Sequence, residues 1–171
     1  MPTLVWLITG CTSGSGLALT QAIAARGDRV IATGRNASTR LSHLKTESIA
    51  VLDLDVTAPL SAIQGAVAEA VKIFGRIDVL INNAGISRLA SLEEASEALM
   101  KAIFDINLFG AIKTTQAMLP HMRAAKQGTV VFMGAGLGWA AMPFFSYYSM
   151  TKAALSSRQH DIYLTPYILS T

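Results

Sequence analysis

Short apolar runs rich in β-branched residues alternate with longer segments of helical character along the chain, and this alternation is what most restricts its fold. The runs are Thr3 to Thr9, Arg29 to Thr33, Ser48 to Leu54, Asp78 to Asn82 and Gly128 to Met133. Strands joined through crossover helices return to the same end of the sheet and must pair in parallel. The pattern therefore predicts an α/β fold with a doubly wound parallel sheet of about five strands. At 51% hydrophobic and 15% charged residues, the composition suits strands covered on both faces.

Helix signals fill the intervals. A helix over 14–26 should stop at Gly27, which suits a left-handed C-terminal cap. A short amphipathic piece follows at Arg40 to Lys45, and Thr57 with Pro59 opens a helix that reaches Phe74 and ends at Gly75. Ser91-Leu92-Glu93-Glu94 reads as a capping box starting the next helix. More helix is expected over roughly 104–124, and a last one from about Ser146.

The 171 residues suffice for one well-buried domain, placed at 1–155, with a divergent tail at 156–171. The net charge of +3 is scattered, with no basic run to track a phosphate backbone, which disfavours nucleic-acid binding. Leu4 to Ile8 falls far short of the about 20 residues of a membrane span, and no basic n-region precedes it. The single cysteine, Cys11, can form neither an internal disulfide nor a metal site, which fits a reducing, cytoplasmic setting. In its Gly-rich loop Cys11 reads as a small space-filling residue rather than a reactive thiol.

That loop carries the first chemistry. Gly10, Thr12, Ser13, Gly14, Ser15 and Gly16 lie where the first strand turns into its helix, so a pyrophosphate could approach backbone N–H groups at the helix N-terminus. A tight turn alone would also use these glycines. With the βαβ setting they indicate a Rossmann-type dinucleotide site. The end of the second strand reads Thr33-Gly34-Arg35-Asn36, with no acid for a ribose 2′-hydroxyl, and Arg35 can pair with a 2′-phosphate. NADP(H) is therefore expected over NAD(H), the alternative being that Arg35 is a solvated loop residue. Asp55 either accepts from the adenine amine or caps a turn, and Asn82 and Asn83 either line the ligand crevice or tie loops together.

Near the C-terminus, Tyr148 and Lys152 are one helical turn apart and project from one face, whereas Tyr147 turns away. An ammonium beside a phenol favours the phenolate and makes the tyrosine a usable proton donor and acceptor.

Thr9-Gly10-x-x-x-Gly14-x-Gly16, Asn82-Asn83-Ala84-Gly85, Asn107 and Tyr148-x-x-x-Lys152, in this order, resemble the short-chain dehydrogenase/reductase family over residues 3 to about 155. The wording of several segments is similar to that of fungal NADP-dependent members, some of which serve secondary-metabolite pathways. The resemblance implies a ketone and secondary-alcohol oxidoreductase that takes hydride from NADPH while Tyr148 protonates the carbonyl oxygen. Lys152 would hold the nicotinamide ribose and tune Tyr148, Asn107 would help position a proton-relaying water, and Asn83, Ala84 and Gly85 would border the cofactor.

This chain departs from the family pattern at two points. Counting back from Tyr148 to the family's carbonyl-holding Ser gives Ala135, which cannot donate that hydrogen bond. The family's fold continues through a sixth strand, a substrate-covering segment and a seventh strand, whereas here Ser156 to Asp161 and an apolar tail with Pro166 follow, as in a truncated product. Strand five would then be an exposed apolar edge, predicting insolubility or pairing with another chain, including a homo-oligomer. The alternatives to an impaired enzyme are a non-catalytic dinucleotide-binding or interaction protein and a nonfunctional product without a stable fold. His160 reads as a surface residue, the alternative being an acid/base group, and His43 and His121 fall in expected helices without partners. Trp139, Met142, Phe144 and Phe145 are either an apolar substrate wall or core.

Overall fold

The computed structural model describes residues 2–140 and 142–157; His160 and Pro166 lie outside them. The sheet consists of β1 (Val5–Ile8), β2 (Arg29–Gly34), β3 (Ile49–Asp53), β4 (Val79–Asn82) and β5 (Thr129–Phe132), all parallel, in the order β3-β2-β1-β4-β5. The order reverses beside β1, which opens a crevice between the β1 and β4 C-terminal ends. The helices are α1 (Gly14–Ala25), α2 (Ala37–Arg40), α3 (Leu60–Phe74), α4 (Glu97–Phe104), α5 (Gly110–Ala125) and α6 (Ser146–Ser156). No described helix is long and apolar enough to cross a membrane.

The two faces of the sheet separate by the period of a strand. Val5 and Leu7 of β1, Ile31 of β2 and Leu80 of β4 pack with Ile63 and Val67 of α3 and with Met118 and Met122 of α5. Their strand neighbours Ile8, Val30, Ala32, Val79 and Ile81 pack on the opposite face with Ile23 of α1 and with Ala37 and Leu41 around α2. Each buried Leu or Ile contributes about 1.5–3 kcal/mol of transfer free energy, so this doubly covered sheet is the main support of the site. Strand β5 pairs with β4 among the described residues, and Val130, Val131 and Phe132 are only half-buried, in line with an edge.

Helix ends follow the sequence signals at Gly27 and Gly75, whose φ values of 89° and 79° are left-handed. The region between β4 and α5 differs. Ser91 and Glu94 form their reciprocal contacts, with Ser91 Oγ accepting from Glu94 N at 3.2 Å and donating to Glu94 Oε2 at 2.8 Å. They close only a turn, and α4 starts later, at Glu97, capped by Ser96, whose Oγ accepts from Leu99 N at 3.2 Å. A capping box satisfies its own N–H groups whether or not an apolar face follows to extend the helix. The continuous helix expected over 104–124 is interrupted by a π-helical stretch, Asp105–Phe109, before α5. The Arg40 to Lys45 piece is also split, into α2 and a 3₁₀ turn at Ser42–Leu44.

Candidate active site

The Gly-rich loop leaves β1 and enters α1 beneath a cavity of about 430 Å³ lined by Gly10, Thr12, Ser13, Gly14 and Ser15. Close approach dictates its glycines. Gly10 has φ 73°, and a Cβ there would lie 2.7 Å from Ala84 Cα. A Cβ on Gly16 would lie 2.5 Å from both Asn83 Nδ2 and Gly10 O, so Gly16 is buried under the loop rather than lining the cavity. Gly14, at φ 57°, faces open space. Ser13 precedes α1 in extended conformation and makes no side-chain cap, so no side chain caps the first turn of a 12-residue helix beside the cavity.

The β4 end completes the crevice. Thr9 Oγ1 accepts from Asn83 N and Ala84 N, both at 3.0 Å, and Asn83 Nδ2 donates to Thr9 O at 2.8 Å and Gly10 O at 3.2 Å. Asn83 therefore ties the two strand ends together and also lines the cavity with Ala84 and Gly85. Asn82 faces away and donates to Thr115 Oγ1 at 3.0 Å. Across the cavity, Arg35 and Asp55 are both on the wall. Asp55 Oδ1 accepts from Thr57 N at 2.9 Å and Thr57 Oγ1 at 2.7 Å, so one carboxylate oxygen is committed to a turn.

Arg40 also lines the cavity, and its one signal in the sequence is that it is a second arginine shortly after the first, on the same post-β2 segment. Ser38 pins this segment, donating from its backbone N at 2.8 Å and from its Oγ at 2.7 Å to the Asp53 carboxylate. Those bonds hold the Asp53 carboxyl below the usual carboxylate range. Cys11, below the loop, is buried, and desolvation pushes its thiol up, in keeping with a space-filling role.

Asn107 sits in the π-helical stretch, 1% exposed. Its Oδ1 accepts from Ile86 N and its Nδ2 donates to Ile86 O, both at 2.8 Å, so one amide clasps both backbone groups of a cavity-lining residue. Nδ2 also reaches Thr151 Oγ1 on α6 at 3.3 Å. Tyr148 and Lys152 share a face of α6, with Lys152 Nζ 5.6 Å from the Tyr148 ring centre. Lys152 is 5% exposed and donates to Met133 O at 2.6 Å, just past β5. A 3₁₀ turn at Gly136–Gly138 packs on α6 so closely that a Cβ on Gly138 would lie 3.0 Å from Lys152 C. Asn107, Tyr148 and Lys152 do not line the 430 Å³ cavity; Ile86 links them to it.

Ala135 precedes that turn in extended conformation. Ser149 is buried, and its Oγ has no hydrogen-bond partner among the described residues. Tyr147 points away, donating to Leu92 O at 2.8 Å. Trp139, Met142 and Phe144 are 84%, 55% and 56% exposed, which removes the core alternative for them. Phe145 is half-buried, its ring 6.4 Å from that of Tyr148. Phe144 adopts φ 67°, an uncommon conformation for an aromatic residue, and its carbonyl accepts from Ala90 N at 3.1 Å.

The short chain dehydrogenase family profile matches residues 4–162. The chain is 34% identical to dehydrogenase/reductase SDR family member 7B of Bos taurus, over 94% of this chain and 55% of that protein. It is 36% identical to oxidoreductase calM of Penicillium decumbens, over 92% of this chain and 54% of that protein. The crystal structure of a short-chain dehydrogenase from Streptomyces avermitilis superposes with a TM-score of 0.84 at 36% identity, over 92% of this chain and 58% of that one. The chain thus spans about half the length of the curated relatives it matches. With a parallel sheet reversing beside β1, a glycine loop under the β4 end, and these matches, the chain belongs to the short-chain dehydrogenase family.

Proposed function

We propose that the chain is an NADP(H)-dependent oxidoreductase interconverting a ketone and a secondary alcohol. The observation that carries this reading is the Tyr148 and Lys152 pair on α6, joined through Thr151, Asn107 and Ile86 to a cavity floored by the α1 N-terminus. The cavity residues fit a dinucleotide: the absence of side chains at Gly10 and Gly16 lets the loop seat against the β4 end, and Ser13 leaves the first turn of α1 without a side-chain cap. Gly10, Thr12, Ser13, Gly14 and Ser15 would hold the pyrophosphate, with Gly16 keeping the loop seated. Asn83, Ala84 and Gly85 would border the nicotinamide half, and Asp55 the adenine. Arg35 and Arg40 supply positive charge for a 2′-phosphate, which favours NADP(H).

When bound, the nicotinamide supplies or accepts a hydride. Tyr148 donates the proton to the carbonyl oxygen or removes it from the alcohol. Lys152 stabilises the phenolate so formed and holds the ribose, and a water shared by Asn107 and Lys152 returns the proton. Trp139, Met142 and Phe144 form an apolar wall for the substrate. A fungal secondary-metabolite setting is in keeping with the similarity to the Penicillium oxidoreductase.

Ala135 favours a second reading, a dinucleotide-binding protein that has lost turnover, because no hydroxyl at that position can hold the substrate oxygen. Fluorescence titration with NADPH, followed by its oxidation with a panel of ketones, separates the two. Turnover that vanishes in Tyr148→Phe supports the reductase; binding without turnover supports the second reading; no binding by folded protein removes both.

A further inference from the structure

We propose that Thr151 is a positioning residue that holds the Asn107 amide in the orientation its two Ile86 bonds require and joins it to the helical turn carrying Tyr148. The proposal rests on the reductase reading for its kinetic consequence, but not for its geometry. Thr151 is 0% exposed, and its Oγ1 donates to Tyr148 O at 2.7 Å. A hydroxyl has one proton, so with that proton committed Oγ1 meets Asn107 as an acceptor only. It therefore matches the amide nitrogen and repels the amide oxygen.

That discrimination reinforces the orientation in which Ile86 already holds Asn107. Its amide bonds both the N–H and the carbonyl of Ile86, and a flipped amide would set oxygen against carbonyl and nitrogen against N–H at the cavity wall. Thr151 adds the third contact and takes the remaining Nδ2 proton. One hydroxyl thus couples the β4 loop, the π-helical stretch and α6, three separate elements whose register sets where Tyr148 projects. Thr114 is a matched contrast: equally buried, with Oγ1 donating to Gly110 O at 2.8 Å rather than meeting the Asn107 amide.

The test uses Thr151→Val, Thr151→Ser and Thr114→Val in the full chain. It reads kcat and KM with NADPH and a ketone, NADPH affinity, and the Asn107 side-chain NH2 signals after selective 15N-asparagine labelling. Thr151→Val should lower kcat by ~10- to 100-fold, as expected of a misplaced catalytic group, while NADPH affinity holds and the Asn107 signals shift. Thr151→Ser should keep both, and Thr114→Val should lower the thermal midpoint without moving either. Unchanged Asn107 signals in Thr151→Val, or a Thr151→Ser variant as impaired as Thr151→Val, would overturn the proposal. If the native chain turns over no ketone, the reductase reading fails separately and the Asn107 signals decide alone. Should Thr151→Val not fold, Thr151→Ala carries the same comparison.

Discussion

Lys152 Nζ stands 5.6 Å from the centre of the Tyr148 ring and donates a hydrogen bond, at 2.6 Å, to the Met133 carbonyl just past β5. The contact to the strand end fixes the height of α6 against the sheet, and the helix then sets where Tyr148 projects. Tyr148→Phe, which removes only the hydroxyl, should cut kcat by ~10²–10⁴, the usual worth of a general acid, without changing NADPH affinity. Stopped-flow reduction together with equilibrium titration checks both halves. Lys152→Met should impair turnover and cofactor binding together, since the role proposed for Lys152 includes both.

Ala135 lies in extended backbone that any residue adopts, so Ala135→Ser adds a hydroxyl without backbone strain. If the missing donor limits catalysis, kcat should rise, by up to the ~10²–10³ that one such donor is worth. Initial rates of NADPH oxidation decide it. A flat response would show that another feature is limiting.

Arg35 and Arg40 both line the cavity, and neither forms an ion pair among the described residues. Replacing either by Ala should weaken NADPH binding by about 1.5–3 kcal/mol, the worth of a charged hydrogen bond, and leave NADH binding unchanged. Calorimetry at low and high salt should show the NADPH advantage shrinking as screening rises.

Gly16 cannot accept a side chain without displacing Asn83 Nδ2 and the Gly10 carbonyl. Gly16→Ala is expected to lose ~1–3 kcal/mol of stability from overpacking and to disturb the loop that would hold the pyrophosphate. Denaturant unfolding and NADPH titration measure the two effects. Gly65→Ala, in α3 with open space at the Cβ position, should be neutral or stabilising.

Burial raises the Cys11 thiol in the folded state, so the neutral form is favoured there. Its contribution to stability is fully present below the ordinary thiol value of about 8.5 and is lost as pH rises through the raised folded value. Urea midpoints should fall across that alkaline window in the native chain and fall less in Cys11→Ala. Alkylation of the native thiol at neutral pH should be slow, because the buried group is protonated.

The strands, their parallel sense and both glycine caps could be read from local sequence, because alternation and backbone permissiveness are properties of neighbouring residues. Several site features were legible for the same reason: the glycine loop, Arg35 and the one-turn spacing of Tyr148 and Lys152 need no knowledge of distant contacts. The late start of α4, the π-helical stretch around Asn107, and Arg40 on the cavity wall were not legible. They depend on what packs across the crevice.

By itself, therefore, the sequence determined the fold class, the place of the crevice and the residue types that border it. Only tertiary structure decided that Asn83 ties β4 to β1, that Asn107 clasps Ile86, and that Thr151 and Met133 seat α6. Local periodicity specifies which face of an element is apolar. Hydrogen bonds between residues far apart in the chain exist only once the sheet has brought those faces together.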